Sequence, residues 1–447
     1  MTTLPDVRPT RMAGAVGAAR ERSQDARVDG ILERLLSLYP RVIDLNLGRL
    51  QALLGKLGNP QKRLAPVLHV AGTNGKGSTC AFARAIAEAA GLRCQAYTSP
   101  HLIDFNERIR LTDGLVSHER LADTLERVER ANASAPITVF EVITAAAFVL
   151  FAEDPADLCI LEVGLGGRGD ATNVIQQPLI SAITSISVDH REFLGDTVEQ
   201  IAAEKAGIMR AGVPTVIGAQ TGAVRAVLKA EAEARGTPLL VRGWNWTVTP
   251  GADGFAFADT EGTLHLPPPA LAGPFQLDNA GIAIAALRAS GLPIPDAAIA
   301  QGLRRAEWPG RLQRLAGSLA GLLPEGWELW LDGAHNPGGG LALASQLDTW
   351  RDRPLHLVIG MKQGKDAAQF LSPLLPFAAS VWAVAEPDQH LALPVPEVIA
   401  ASGGIARAGG LVTEALRQIA AESEHSVPAR VLICGSLYLA GALLRQG

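Results

Sequence analysis

A lysine set among glycines, between an apolar run and an alanine-rich helical pattern, is a device for holding phosphate. His69-Val-Ala-Gly72-Thr-Asn-Gly75-Lys76-Gly77-Ser78-Thr79 has that form. Pro66 to Ala71 reads as a buried strand and Cys80 to Ala90 as the helix that follows. The turn's N–H groups and the positive helix end therefore converge on one anion. The strict pattern G-x-x-x-x-G-K-[ST] fails twice, because Val70 stands at the first glycine and Gly77 at the hydroxyl, which arrives one residue late at Ser78. The competing reading is a strand-to-helix turn with no bound nucleotide. A lysine between glycines has little packing use, which favours phosphate.

Other reactive groups fall at the ends of apolar runs. Glu162 closes Leu158-Cys-Ile-Leu-Glu-Val and precedes Gly164-Leu-Gly-Gly-Arg168-Gly-Asp170. A carboxylate at the tip of a buried strand beside a phosphate turn is a magnesium-ligand candidate. Arg168 and Asp170 read either as a pair that fixes the loop or as direct ligand contacts. Ile180 to Val188 reads as a strand ending in Asp189-His190, and Tyr97-Thr-Ser99-Pro-His101 brings a hydroxyl and an imidazole after the second strand. In an open parallel sheet these carboxyl ends share one crevice, so Ser78, Ser99, Glu162 and His190 are expected to converge. Lys205 lies near the end of a short helix among small residues, where a solvated lysine is the plain alternative. Trp330-Leu-Asp332-Gly-Ala-His335-Asn336-Pro337 is again a strand running into a polar turn.

The elements that position these groups alternate. From Val67 onward, β-rich runs and helical patterns succeed one another, which predicts a mainly parallel sheet wrapped by helices. Residues 240–268 show period-2 alternation broken by Gly and Asp and read as a small antiparallel patch. Glu307-Trp-Pro-Gly-Arg311 punctuates the chain, and strand-like runs beyond it predict a second, smaller α/β domain with the boundary near residue 310. With 447 residues, 48% hydrophobic and 19% charged, two packed domains are expected. The 40 basic and 45 acidic residues give a net charge of −5 without a Lys/Arg block, which argues against nucleic acid as a partner. No apolar run is long enough to span a bilayer, and the four cysteines lack metal spacing, which suits a reducing cytoplasm. The arginine-rich first 26 residues read as a disordered tail.

Eleven motifs in order now resemble one family. Gly72-Thr-Asn-Gly-Lys-Gly-Ser, Thr98-Ser-Pro-His-Leu, Phe105-Asn-Glu-Arg-Ile, Thr138-Val-Phe-Glu141, Glu162-Val-Gly-Leu-Gly-Gly-Arg, Thr184-Ser-Ile-Ser-Val-Asp-His190, Glu204-Lys-Ala-Gly-Ile, Asp278-Asn279-Ala, Pro309-Gly-Arg311, Asp332-Gly-Ala-His-Asn-Pro and Gly435-Ser-Leu-Tyr-Leu are similar to those of the Mur ligase superfamily. Within it they resemble the folylpolyglutamate synthase/dihydrofolate synthase branch, of bifunctional bacterial type, from about residue 27 to the C-terminus.

The resemblance implies an α/β fold: an ATP-binding P-loop domain over residues 27–308 and a Rossmann-like glutamate-ligase domain over 309–447. It implies ATP on Gly75, Lys76, Gly77 and Ser78, with Asn279, Arg311 and Asp332 completing the nucleotide site. Magnesium, two ions in all, is expected on Ser99, Glu162, His190 and Lys205, the last as an N6-carboxylated lysine. Thr138, Val139, Phe140 and Glu141 match the pterin-contacting segment, and Gly169 stands where relatives often carry a bulkier residue near the pterin. His335 and Ser436 match positions for incoming glutamate. Lys76, His190, Lys205 and Arg311 are the implied catalytic groups.

The activity implied is glutamate addition to dihydropteroate and reduced folates through an acyl phosphate, by a cytoplasmic monomer. The alternatives are a monofunctional folylpolyglutamate synthase or another Mur-type amino-acid ligase. A muramyl-peptide ligase is expected to need a longer N-terminal domain than the roughly 65 residues before the first strand. A partner-binding ATPase switch and a nucleotide binder without catalysis are the readings from other classes.

Overall fold

The computed structural model describes residues 23–38, 44–424 and 426–446. Eight strands form the first sheet: β1 (Val67–Ala71), β2 (Cys94–Tyr97), β3 (Ile109–Leu111), β4 (Gly114–Leu115), β5 (Leu158–Glu162), β6 (Ile180–Ile183), β7 (Thr215–Ile217) and β8 (Leu239–Val241). Their order is β4-β3-β2-β5-β1-β6-β7-β8. The six strands from β2 to β8 in that order are parallel, and β3 and β4 turn back antiparallel at one edge. Strands β1, β5 and β6 are buried along their whole length, because helices cover both faces.

One face packs on the helices Ala26–Leu38, Leu47–Lys56, His118–Asn132 and Val139–Glu153. The other packs on Lys76–Ala89, Phe275–Ala289 and Asp296–Arg305. Val139–Glu153 is apolar around nearly its whole circumference because it is buried on nearly all sides. The antiparallel patch expected at 240–268 is a three-stranded sheet of β9 (Thr247–Gly251), β10 (Gly254–Asp259) and β11 (Gly262–Leu266). Trp246 and Phe257 stack there at 6.1 Å and cover the helix Phe275–Ala289.

The second sheet comprises β12 (Gln313–Leu315), β13 (Glu328–Leu331), β14 (Leu355–Ile359), β15 (Ser380–Val384), β16 (Arg407–Gly410) and β17 (Arg430–Cys434). Its order is β12-β13-β17-β14-β15-β16, parallel except for β12, with a separate apolar core on each face. The α/β architecture is therefore one large, mainly parallel sheet and a second, smaller mixed sheet.

Three expectations are corrected. The strand read as Ile180 to Val188 stops at Ile183, because Thr184 Oγ1 donates to Asn74 O at 2.7 Å and peels the chain away to follow the phosphate turn. The helix after that turn begins at Lys76 rather than Cys80, with Gly75 in the left-handed conformation at its N-cap. The tail read as disordered to residue 26 is ordered from residue 23: Ser23 Oγ and Gln24 N donate to Asp104 Oδ1, and Asp25 accepts from Arg27 N and Val28 N to start the helix at Ala26. Residues 1–22 lie outside the described residues.

Candidate active site

The carboxyl ends of β1, β2, β5 and β6 open into one cleft of about 1100 Å³, mouth included, whose far wall comes from the second sheet. Register explains the convergence: Val70 lies opposite Glu162, and Tyr97 opposite Leu161, so the loops that follow leave the sheet at one level. The phosphate turn lies across the end of β1. Gly75 has φ +88 and sits so close to the Asn279 amide that a side chain there would collide with it. Lys76 Nζ donates to Thr73 O at 3.2 Å.

The departure from the strict phosphate-loop pattern has a steric cause. A Cβ at Gly77 would stand 2.6 Å from three atoms of the Trp308 indole. No serine or threonine fits there, and the hydroxyl falls to Ser78, which is buried and lines the cleft.

Glu162 is buried, with Ser99 N donating to Oε2 at 3.2 Å. Burial pushes its carboxyl up, and Lys76 opposes this. Lys205, the last residue of the helix Val198–Lys205, donates through Nζ to Gly72 O at 2.8 Å. Burial, reinforced by Lys76, lowers its ammonium to about 7. His190 lines the cleft in a left-handed conformation, φ 52, with its side chain 40% exposed, and partial burial together with Lys365 lowers its imidazole to about 3.

The second sheet contributes Arg311, Asp332, His335 and Asn336. Asp332 accepts from Leu312 N at 2.8 Å and Ala334 N at 2.7 Å, and burial raises its carboxyl against the pull of Arg311. His335 Nδ1 lies 2.8 Å from Gly333 O, which places the proton on Nδ1 and leaves Nε2 bare; burial lowers the imidazole to about 4. The two sheets are bonded across the cleft. Asn74 and Asn336 exchange amide hydrogen bonds at 3.0 Å, and Asn336 Nδ2 also donates to Asp189 Oδ2 at 2.9 Å. Lys365 Nζ lies 2.6 Å from Asp189 Oδ1. Burial alone would raise Asp189, but Lys365 holds it well below the usual carboxylate range.

The structure thus gathers Gly75, Lys76, Gly77, Ser78, Ser99, Glu162, His190, Lys205, Asn279, Arg311, Asp332 and His335 into one cleft. Six expected site residues are not in its walls. Thr138 and Glu141 form the capping box of Val139–Glu153: Thr138 N and Oγ1 donate to Glu141 Oε2, each at 2.8 Å, and Arg49 reaches the same oxygen. Val139 packs into the core, while Phe140 stands behind the cleft against Gly164. Gly169 faces away, and a Cβ there would lie 2.8 Å from Leu45 Cβ, which accounts for the missing bulk. Ser436 is buried as the N-cap of Leu437–Leu444, and only its neighbour Leu437 reaches the cleft. Nor do Arg168 and Asp170 pair: Arg168 meets Glu204 at 3.3 Å, while Asp170 accepts from Leu165 N and from Thr172.

Residues given no site role from sequence include Gln276, Asn74, Asn336 and Lys365. Gln276 lines the cleft, accepts from Asn279 Nδ2 at 2.9 Å, and holds an Nε2 with no partner among the described residues. Lys365 carried a readable signal, since Gly360-Met-Lys-Gln-Gly-Lys365 is a glycine-bounded basic turn at the carboxyl end of a strand.

Residues 70–287 match the Mur ligase middle domain, which sets the class as a Mur-type ligase. The chain is 32% identical over 417 residues to a folylpolyglutamate synthase of Lacticaseibacillus casei, covering 88% of this chain and 92% of that one. It superposes on Escherichia coli FolC in complex with DHPP and ADP with a TM-score of 0.85 at 31% identity, covering 95% of this chain and 98% of that one. A bifunctional folylpolyglutamate synthase/dihydrofolate synthase with Mn, AMPPNP and L-glutamate bound matches with a TM-score of 0.81 at 32% identity, over 93% of this chain and 97% of that one. The chain belongs to the folylpolyglutamate synthase/dihydrofolate synthase family.

Proposed function

We propose that this chain is an ATP-dependent ligase that joins the amine of L-glutamate to the carboxylate of dihydropteroate and of reduced folates. The observation that carries the reading is the single cleft in which Lys76, Glu162 and His190 of the first sheet face Arg311, Asp332 and His335 of the second. In this reading residues 27–308 form the ATP-binding unit and 309–447 the glutamate-ligase unit.

Lys76 and Arg311 supply the positive charge that lets a carboxylate approach a triphosphate. An oxygen of that carboxylate bonds the γ-phosphorus, and ADP leaves. The glutamate nitrogen then bonds the acyl carbon, the carbon–oxygen bond to phosphate breaks, and the amine proton passes to solvent. Gly75, Gly77 and Ser78 cradle the phosphates, with Asn279 and Asp332 beside the nucleotide.

Ser99, Glu162 and His190 fit a magnesium ion, because the buried Glu162 carboxyl takes one N–H, from Ser99 at 3.2 Å, and keeps acceptor capacity, and the His190 imidazole is shifted toward its neutral form. Magnesium bound there would offset phosphate charge. Lys205, with its ammonium lowered to about 7, reaches the neutral amine that bonds the carbon of CO2; loss of one proton leaves an N6-carboxylate suited to a second magnesium.

The pterin end is assigned to the Thr138–Glu141 side. Glu141 Oε1 is buried with no hydrogen-bond partner among the described residues, an acceptor suited to a ring N–H, and the Phe140 ring abuts the cleft wall at Gly164. Glutamate is assigned to the His335 and Ser436 side. The protein is read as a cytoplasmic monomer; no helix among the described residues is long and apolar enough to cross a membrane.

The deciding experiment measures ADP release with ATP, magnesium and L-glutamate, offering dihydropteroate or tetrahydrofolate and weighing products by mass. Turnover with both acids supports the bifunctional reading. Tetrahydrofolate alone makes the chain a dedicated folylpolyglutamate synthase, and silence with both refutes the substrate class.

A further inference from the structure

The ligase reading leaves one buried charge without a task. Lys365 sits in the loop between β14 and the helix Ala367–Leu371 of the second sheet, and its ammonium meets Asp189 of the first sheet at 2.6 Å. The two side chains are 14% and 10% exposed, so solvent screens the pair little. Asp189 turns both oxygens to the second sheet, Oδ1 to Lys365 and Oδ2 to Asn336, while Oδ1 also accepts from His190 N at 2.8 Å. Asn336 also clasps Asn74, the residue before Gly75-Lys76, and Gly338 lies so close to Ser187 and Asn74 that a side chain there would strike both. These bonds draw one seam between the sheets at the phosphate turn. Among the described residues Lys365 is the cation bonded to Asp189, with the His335 and His190 imidazoles farther off at 3.8 and 3.9 Å.

We propose that Lys365 is a positioning residue that seals this seam through Asp189 and so keeps water from the acyl phosphate until the glutamate amine attacks. The proposal rests on the ligase reading above. Without the ammonium, the buried Asp189 carboxyl keeps only the neutral donors Asn336 Nδ2 and His190 N, and the polar gap that the lysine leaves admits water into the seam. Water then takes the place of the amine. Its oxygen bonds the acyl carbon, the carbon–oxygen bond to phosphate breaks, and the substrate acid and inorganic phosphate are returned with protons shed to solvent. ATP is consumed and no amide forms.

The readout is therefore the ratio of ADP released to amide formed, a quantity that a lysine serving only to stabilise the fold does not move. The full-length wild type, Lys365→Met and Lys365→Arg are assayed with ATP, magnesium, the acid acceptor and L-glutamate at low and at saturating concentration. The wild type is expected near one ADP per amide, Lys365→Met at about three or more at both glutamate levels, and Lys365→Arg back towards one. If Lys365→Met does not fold, Lys365→Gln, which keeps a donor but loses the charge, takes the same test. A ratio that stays near one, however slow the enzyme, overturns the proposal. So does a ratio that returns to one at saturating glutamate, because the lysine then serves glutamate itself. A wild type that makes no amide overturns the ligase reading along with it, whereas a wild type that ligates beside an unmoved variant ratio sinks the seal alone.

Discussion

Replacing Gly77 with alanine tests the account of the irregular phosphate turn. The new Cβ would stand 2.6 Å from Cε2, Cζ2 and Nε1 of Trp308, whereas carbon atoms pack comfortably at about 3.5 Å or more, so the indole must retreat by about 1 Å. Forcing a methyl group into a packed site costs about 1–3 kcal/mol, and the better helix propensity of alanine offsets at most about 1 kcal/mol of that. Trp308 runs directly into Pro309-Gly310-Arg311, so moving the indole also moves Arg311 at the cleft. Gly77→Ala is therefore expected to lower the urea midpoint and to weaken ATP binding in calorimetry. Gly77→Ser, which restores the motif's hydroxyl position but not the first glycine at Val70, is expected to do the same. The decisive measurement is the double-mutant cycle. In a Trp308→Ala background the indole is gone, and the Gly77→Ala cost should fall below about 0.5 kcal/mol. Equal costs in the two backgrounds would show that Trp308 does not dictate the glycine.

The other expectations follow from single contacts. Lys76→Ala and Glu162→Ala should each lower kcat/KM for ligation by about 10²-fold or more with circular dichroism unchanged; near-normal turnover in either removes that residue from the site. Lys205 falls from 10.5 to about 7 on folding, so between those pH values the unfolded chain holds a proton that the native chain lacks. Its contribution to stability therefore rises with pH across that window, and below it the buried ammonium carries a penalty on the order of 5 kcal/mol. The stability difference between wild type and Lys205→Met, followed by urea unfolding from pH 6.5 to 9, should climb with pH, and a flat difference contradicts the burial argument. Thr138→Ala should cost about 1 kcal/mol through the lost capping box, read from the same unfolding curves, and no loss would leave the cap without energetic weight. Stripping divalent cations with a chelator should stop ligation, and added magnesium should restore it; activity that survives chelation argues against a metal on Glu162 and His190.

The chemistry of this chain was legible in its sequence because parallel strands deliver their carboxyl ends to one crevice. Once the runs around Leu68, Ile160 and Ala182 read as buried strands, the residues that follow them could be gathered without coordinates. Lys76, Ser99, Glu162 and His190 converge for that topological reason, and the glycines of the turn declare its curvature locally. Strand ends were less legible, since Ile180 to Val188 stays apolar enough to pass for strand while the Thr184 hydroxyl has already bonded the phosphate turn.

Only the tertiary structure decided which neighbour each group meets. Trp308 against Gly77, Lys365 against Asp189 and Leu45 against Gly169 join residues more than a hundred positions apart, and no local pattern encodes such a pairing. The structure also divided like from like. Glu162 stands open to the cleft, while Glu141, the same residue type and equally buried, turns one oxygen to the cap of its own helix. Residue type and spacing set what a side chain is able to do; the packing of distant elements around it sets its protonation, its partner and its access to the cleft.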